Sequence, residues 1–177
     1  MTEFGLAAWP PALPIRTERL VLREAEARDR AVFIDLLASS EVHTYLGGAR
    51  ARDELERELP ETPGPDRGVC VVELGGAVIG QVILRRATGE RGAGQAELGY
   101  LFLPGAWGFG YAAEACAAAL DWLDSALPGE PVVLFTQTAN ARSMRLAAKL
   151  GFTEAERFHA WDAEQWFGMR PPVTPSS

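Results

Sequence analysis

Leu20, Leu22 and Glu24 alternate with Arg19, Val21 and Arg23 in the stretch RLVLREAE, a period of two that predicts a strand. The period then lengthens. Between Arg28 and Leu37 the apolar Ala31, Val32, Ile34 and Leu36 fall at helical spacing, and the following ARDELERELPE is charged nearly throughout. These segments predict a short helix and then a solvated helix on the rim, ending at Pro60, with a Pro/Gly turn at 62–67. GVCVVELGGAVIGQVILRRA carries two β-branched runs around Gly75 and Gly76, a pair able to take the positive φ of a tight hairpin turn. Beyond the glycine-rich ATGERGAG, QAELGYLFLP reads as a further strand that stops at Pro104.

In the second half, WGFGYAAEACAAALDWL sets a glycine turn in front of an alanine-rich helix. Glu114, Asp121 and Asp124 share one side of that helix, leaving Ala115, Ala118, Ala119, Leu120, Trp122 and Leu123 for packing, with Cys116 among them. PVVLFTQT has the apolar first half of a central strand covered on both faces. NARSMRLAAKLGF predicts a second helix, with Asn140 as N-cap, Gly151 as left-handed C-cap and Phe152 as the hydrophobic contact beyond it. AERFHAW and EQWFGMR form a last hairpin turning around 162–164. The order of elements predicts an α/β domain with a mixed, mostly antiparallel central sheet and helices on both faces. The chain is read as one domain spanning 1–177, with an N-terminal arm at 1–14 and a flexible tail at 171–177.

Composition narrows the partners. Seventeen basic against 24 acidic residues give a net charge of −7, which opposes a phosphate backbone, so nucleic acid is not an expected partner. Cys70 and Cys116 are too few for a disulfide framework and have no Cys or His at metal-ligand spacing, so both read as small core residues and no metal is expected. His43 and His159 read as partly buried structural residues. The first residues, MTEFGLAAWPPALP, lack a basic leader and place prolines where an apolar helix would be needed, and no long apolar run follows. A cytoplasmic location without membrane attachment is the expectation.

The glycine turn is the first candidate for chemistry. The opening turn of a helix leaves amide N–H groups without partners and carries about half a positive charge. Gly108 and Gly110 have no Cβ to hold an anion away from those amides, so strand, glycine turn and helix together suit a diphosphate. Glycines also mark ordinary strand-to-helix turns, and two nucleotide signatures fail here. The loop lacks G-x-x-x-x-G-K-[ST], and Ala113 stands where G-x-G-x-x-G needs its third glycine.

Taken together, PIRTERLVLREAEARD, ELGYLFLPGAWGFGYAAEA and TANARSMRLAAKLGF resemble, over nearly the whole chain, the GNAT N-acetyltransferases and their RimJ/RimL-like branch. The resemblance implies an acyl-CoA N-acyltransferase fold whose sheet splays between its fourth and fifth strands. It also implies acetyl-CoA as acyl donor, bound by Leu101, Phe102, Leu103, Trp107, Gly108, Phe109, Gly110, Tyr111, Ala112, Asn140, Ser143 and Arg145. Two departures stand out. Trp107 occupies a place where the broad family carries a basic or amide side chain, leaving the charge to backbone amides with Arg142, Arg145 or Lys149 as helpers. Ala147 stands seven residues after Asn140, where many members have the tyrosine that protonates the leaving thiolate.

Aminolysis of a thioester needs an uncharged amine, a polarised carbonyl and a stabilised leaving sulfur. Glu97 is the candidate base, directly or through a water, on the same face as Leu101 and Leu103. A backbone N–H between Leu101 and Leu103, where strand pairing lapses, is the candidate carbonyl donor, and Ser143 replaces the missing acid. An α-amine near pKa 8 is uncharged to about one part in ten at neutral pH, a lysine-like amine to about one in 10³. A single modest base therefore favours a peptide N-terminal α-amine or a small amine of lowered pKa, with 40–65 as the acceptor lid. Three readings stay open beside this one: another acyl donor such as succinyl-CoA, an aminoglycoside-type acceptor, or a non-catalytic acyl-CoA sensor or partner subunit. The branch also leaves room for a homodimer.

Overall fold

The computed structural model describes residue 6, residues 8–63 and residues 68–173. The elements are β1 (Ile15–Arg16), β2 (Leu20–Arg23), α1 (Arg30–Ala38), α2 (Arg52–Glu58), β3 (Val69–Leu74), β4 (Ala77–Arg86), β5 (Ala96–Phe102), α3 (Tyr111–Ala126), β6 (Val132–Gln137), α4 (Ala141–Lys149), β7 (Thr153–Ala160) and β8 (Ala163–Arg170). All eight strands join one sheet in the order β1-β2-β3-β4-β5-β6-β8-β7. Only β5 and β6 run parallel; every other neighbour is antiparallel. The mixed, mostly antiparallel sheet with helices on both faces is the architecture expected from the order of elements.

Strand alternation decides which face each helix covers. Leu20, Leu22, Cys70, Val72, Val82, Leu84, Leu98 and Phe102 point to one side, where Ala115, Cys116, Ala119, Leu120 and Leu123 of α3 close over them. The alanines keep that helix close to the sheet. On the opposite side Val71 packs with Phe33 of α1. Both cysteines are buried in accord with their composition-based reading, and burial pushes the Cys70 thiol up to about 12.

Local readings hold where one dihedral decides them. Gly75 and Gly76 turn the β3–β4 hairpin at φ 57° and 87°, and Gly151 ends α4 at φ 92° with Phe152 buried behind it. Two boundaries differ from expectation. A 3-10 turn at Ala27–Asp29 precedes α1, because buried Asp29 takes two bonds from Arg23 (2.8 and 2.9 Å) and one from the Glu26 amide (2.7 Å). The last hairpin turns at Trp161 and Asp162, with φ 52° and 60°, one residue earlier than predicted. In the N-terminal arm Leu6 and Trp9 are buried, and the Trp9 indole lies 4.9 Å from that of Trp122 and donates to the Gly68 carbonyl. The turn expected at 62–67 falls largely on 64–67, and the end of the expected tail on 174–177, both outside the described residues.

The sheet is discontinuous at one place. β5 and β6 pair only at Ala96 with Val132 and Glu97 with Val133, after which the strands part. Counting from β2, this gap lies between the fourth and fifth strands, where the splay was expected.

Candidate active site

A cavity of about 800 Å³ fills the gap. Its walls come from both faces of the sheet: Glu41, His43, Tyr45 and Leu46 between α1 and α2, and the starts of α3 and α4. The two candidate catalytic side chains reach it from opposite sides. Glu97 lies across from Arg85 in the β4–β5 register, on the face shared with Val71 and α1, and its Oε2 accepts from Arg85 Nε at 3.3 Å. Ser143, in the first turn of α4, approaches from the α3 and α4 side.

Ladder parity settles which amides look into the gap. The Leu103 amide donates to the Ile79 carbonyl at 2.9 Å, and the Ala87 amide to Gln95 at the other end of the same ladder. In an antiparallel pair the groups alternate sides. The amides of Glu97, Gly99, Leu101 and Leu103 therefore serve β4, and those of Tyr100 and Phe102 face the opening. Between Leu101 and Leu103, the Phe102 amide is the one that faces the opening, with that of Tyr100 beside it. Leu103 lies outside the cavity wall.

At the other end of the cavity α3 begins on Gly110, held at φ 80° with no side-chain cap, and Gly108 sits at φ 87°. Glu114 makes the first helical bond, to the Gly110 carbonyl at 3.1 Å. The preceding amides of Tyr111, Ala112 and Ala113 have no helical acceptor, and all three residues line the cavity. A Cβ added at Gly108 would meet nothing within 4 Å, so the space in front of the loop is open. An anion in that space would meet amides that have no helical partner.

The loop is fixed from behind by a residue the sequence reading did not single out. Arg19, at the start of β2, donates to the Phe109 carbonyl (3.0 Å) and to Glu114 Oε1 (2.8 Å), and lies 4.6 Å from the Tyr111 ring centre. Glu114 also accepts from the Thr17 hydroxyl and the Arg19 amide. Burial would raise the Glu114 carboxyl, but these hydrogen bonds outweigh it and hold it below its ordinary value. The acid of the first turn is thereby occupied away from an incoming anion. Phe109 points outward, 59% exposed, and stacks on Tyr111 instead of lining the cavity.

Trp107 explains its own departure from the broad loop pattern. Its indole N–H donates to the Phe102 carbonyl at 2.9 Å, and its ring carries the Arg142 guanidinium 3.8 Å from the centroid. A cation absent from position 107 is thus supplied to the same spot by α4. Arg142 and Arg145 both line the cavity, whereas Lys149 lies outside its wall, in the last turn of α4. With Arg85, three guanidinium groups face two carboxylates, Glu41 and Glu97, in a chain whose net charge is −7. His43 lines the cavity, its Nδ1 3.1 Å from the Ser39 carbonyl; His159 is exposed on β7, contrary to the partly buried reading.

Residues 19–153 match the model of the acetyltransferase (GNAT) domain. The chain belongs to the GNAT acetyltransferase family. Its donor-side loop, gap and α4 therefore sit in the frame of a GNAT enzyme. A Bacillus subtilis protein, YkkB, is 27% identical over 155 residues, covering 82% of this chain and 88% of its own. The GNAT acetyltransferase of Bacillus anthracis superposes with a TM-score of 0.74 at 21% identity, over 90% of this chain and 98% of that one. Spermidine N-acetyltransferase from Vibrio cholerae, solved with CoA and spermine, gives 0.69 at 21% identity, over 88% and 97%. Among the described residues, no group of His, Cys, Asp and Glu is arranged to hold a metal ion, and no helix is long and apolar enough to cross a membrane.

Proposed function

We propose that this GNAT domain, as a RimJ/RimL-like enzyme, transfers the acetyl group of acetyl-CoA to a peptide N-terminal α-amine or a small amine of similar pKa, by direct attack in a ternary complex. The observation that carries this reading is the bare start of α3 opening onto a gap that crosses the sheet. The amides of 111–113 and the Arg142 guanidinium suit the diphosphate, and the parted strands leave a slot for the pantetheine arm. Phe102 or Tyr100 offers an amide to the thioester carbonyl. The amine attacks from the Glu97 side; the N–C bond forms, the C–S bond breaks, and the nitrogen proton leaves through water to Glu97. The sulfur departs as thiolate next to the Ser143 hydroxyl and takes its proton from solvent. Arg85 fixes the Glu97 carboxylate in place.

Vibrio cholerae spermidine N-acetyltransferase acts on a polyamine. Here the acceptor side pairs Glu97 with Arg85, an arrangement that favours a single amine over a polycation. Calorimetry with acetyl-CoA, followed by thiol release with matched α-amine and ε-amine peptides, tests the reading. Binding with faster release for the α-amine supports it, and faster release for the ε-amine refutes the acceptor preference. Ala147, in place of the family's acid, favours a second reading, a non-catalytic acyl-CoA sensor, for which acetyl-CoA binds and no amine releases thiol.

A further inference from the structure

We infer that Tyr100 is the positioning residue of the leaving-group side, turning the Ser143 hydroxyl toward the sulfur of the bound thioester. This rests on the acetyltransferase reading above and adds to it the residue that answers for Ala147.

Tyr100 stands on β5 between Leu98 and Phe102, on the face covered by α3, and reaches across the parted strands to α4. Its hydroxyl lies 2.6 Å from Ser143 Oγ. Two hydroxyls at that distance share one proton between them, and the phenol, being far more acidic than an aliphatic alcohol, is the one that donates. Burial raises Tyr100 to about 12, against the opposing effect of the Ser143 bond, so it stays a donor at neutral pH. Ser143, having accepted, keeps its own O–H for another partner. It is not needed as a cap: Asn140 Oδ1 already accepts the Ser143 amide at 3.3 Å. Among the described residues Tyr100 is the one hydrogen-bond partner of the Ser143 hydroxyl, and both residues line the cavity.

The bookkeeping of the step is simple. The C–S electron pair moves to sulfur, the Ser143 O–H hydrogen-bonds the forming thiolate without giving up its proton, and Tyr100 holds that O–H in line. Neither hydroxyl ionises.

The test is steady-state turnover by wild type, Tyr100→Phe, Ser143→Ala, Ser143→Thr and the double variant, with acetyl-CoA affinity measured for each by calorimetry. Tyr100→Phe and Ser143→Ala should each lower kcat about 10- to 100-fold. The double variant should be no slower than the worse single, and acetyl-CoA affinity should stay within about twofold in Tyr100→Phe, whose side chain acts through Ser143. Ser143→Thr, which keeps the hydroxyl, should recover most of the rate. An acetyl thioester of a more acidic thiol should shrink the Tyr100→Phe defect, since a better leaving group needs less help; a merely structural defect would not respond to it. Tyr100→Phe with wild-type kcat, multiplicative losses, or a defect indifferent to thiol acidity overturns the inference while leaving the acetyltransferase reading intact. Absence of thiol release by wild type with every amine overturns both.

Discussion

α3 and α4 begin against the same cavity, and their first turns are built in opposite ways. α4 closes on itself: Asn140 caps the Ser143 amide. α3 opens on a left-handed glycine with no cap, and the one acidic side chain of its first turn is drawn backward to Arg19 and Thr17. A third start, the Ala27–Asp29 turn before α1, is closed more fully, by reciprocal bonds between Glu26 and Asp29 and by Arg23. Helix ends are ordinarily satisfied by their own side chains. On the proposed reading, the bare end of α3 is where the missing partner belongs to a ligand.

Substitutions at the three ends should separate their duties. Asp29→Asn breaks a buried pair and should cost about 3 kcal/mol of stability in chemical denaturation, with acetyl-CoA affinity unchanged. Burial would raise Asp29, yet its bonds to Arg23 and the Glu26 amide hold it below the ordinary carboxylate value. A depressed carboxyl stabilises the fold above its unfolded pKa, so this contribution disappears as pH falls through the folded value, and Asp29→Asn should flatten that acid limb. Gly110→Arg should weaken acetyl-CoA about 100-fold by calorimetry, through φ strain and occlusion of the amides, on a fold that still melts cooperatively. Arg142→Gln should weaken it about tenfold and reduce the dependence of affinity on salt. Asn140→Ala removes a cap and should lower stability by about 1 kcal/mol in the same denaturation assay. If Gly110→Arg and Asn140→Ala affected binding alike, the contrast between the two helix ends would be lost.

Legibility in the sequence followed the range of the interaction. Gly108 and Gly110 announce a bare helix end, and Asn140, Gly151 and Phe152 announce a capped one, because those signals depend on dihedrals within a few residues. A period of two gave β2, β-branched runs gave β3 and β4, and an apolar run gave β6, though β1, two residues long, carries no pattern at all. What escaped was long in range. Arg19 meets Phe109 across 90 residues and Tyr100 meets Ser143 across 43. Nothing local distinguishes such an arginine or tyrosine from a solvated or packed one; the sheet face and the neighbouring helix decide. Trp107 looked like a lost charge because an indole is itself uncharged, and only the fold sets Arg142 upon it. The arm with Trp9 likewise gained its anchor from Trp122, far along the chain.

The parting of β5 from β6 after two paired positions has a kinetic corollary. An opening that passes through a sheet can be entered from either side, so on the proposed ternary-complex reading neither substrate bars the way to the other. Double-reciprocal plots should intersect instead of running parallel, and spent CoA and acetylated product can depart by separate doors.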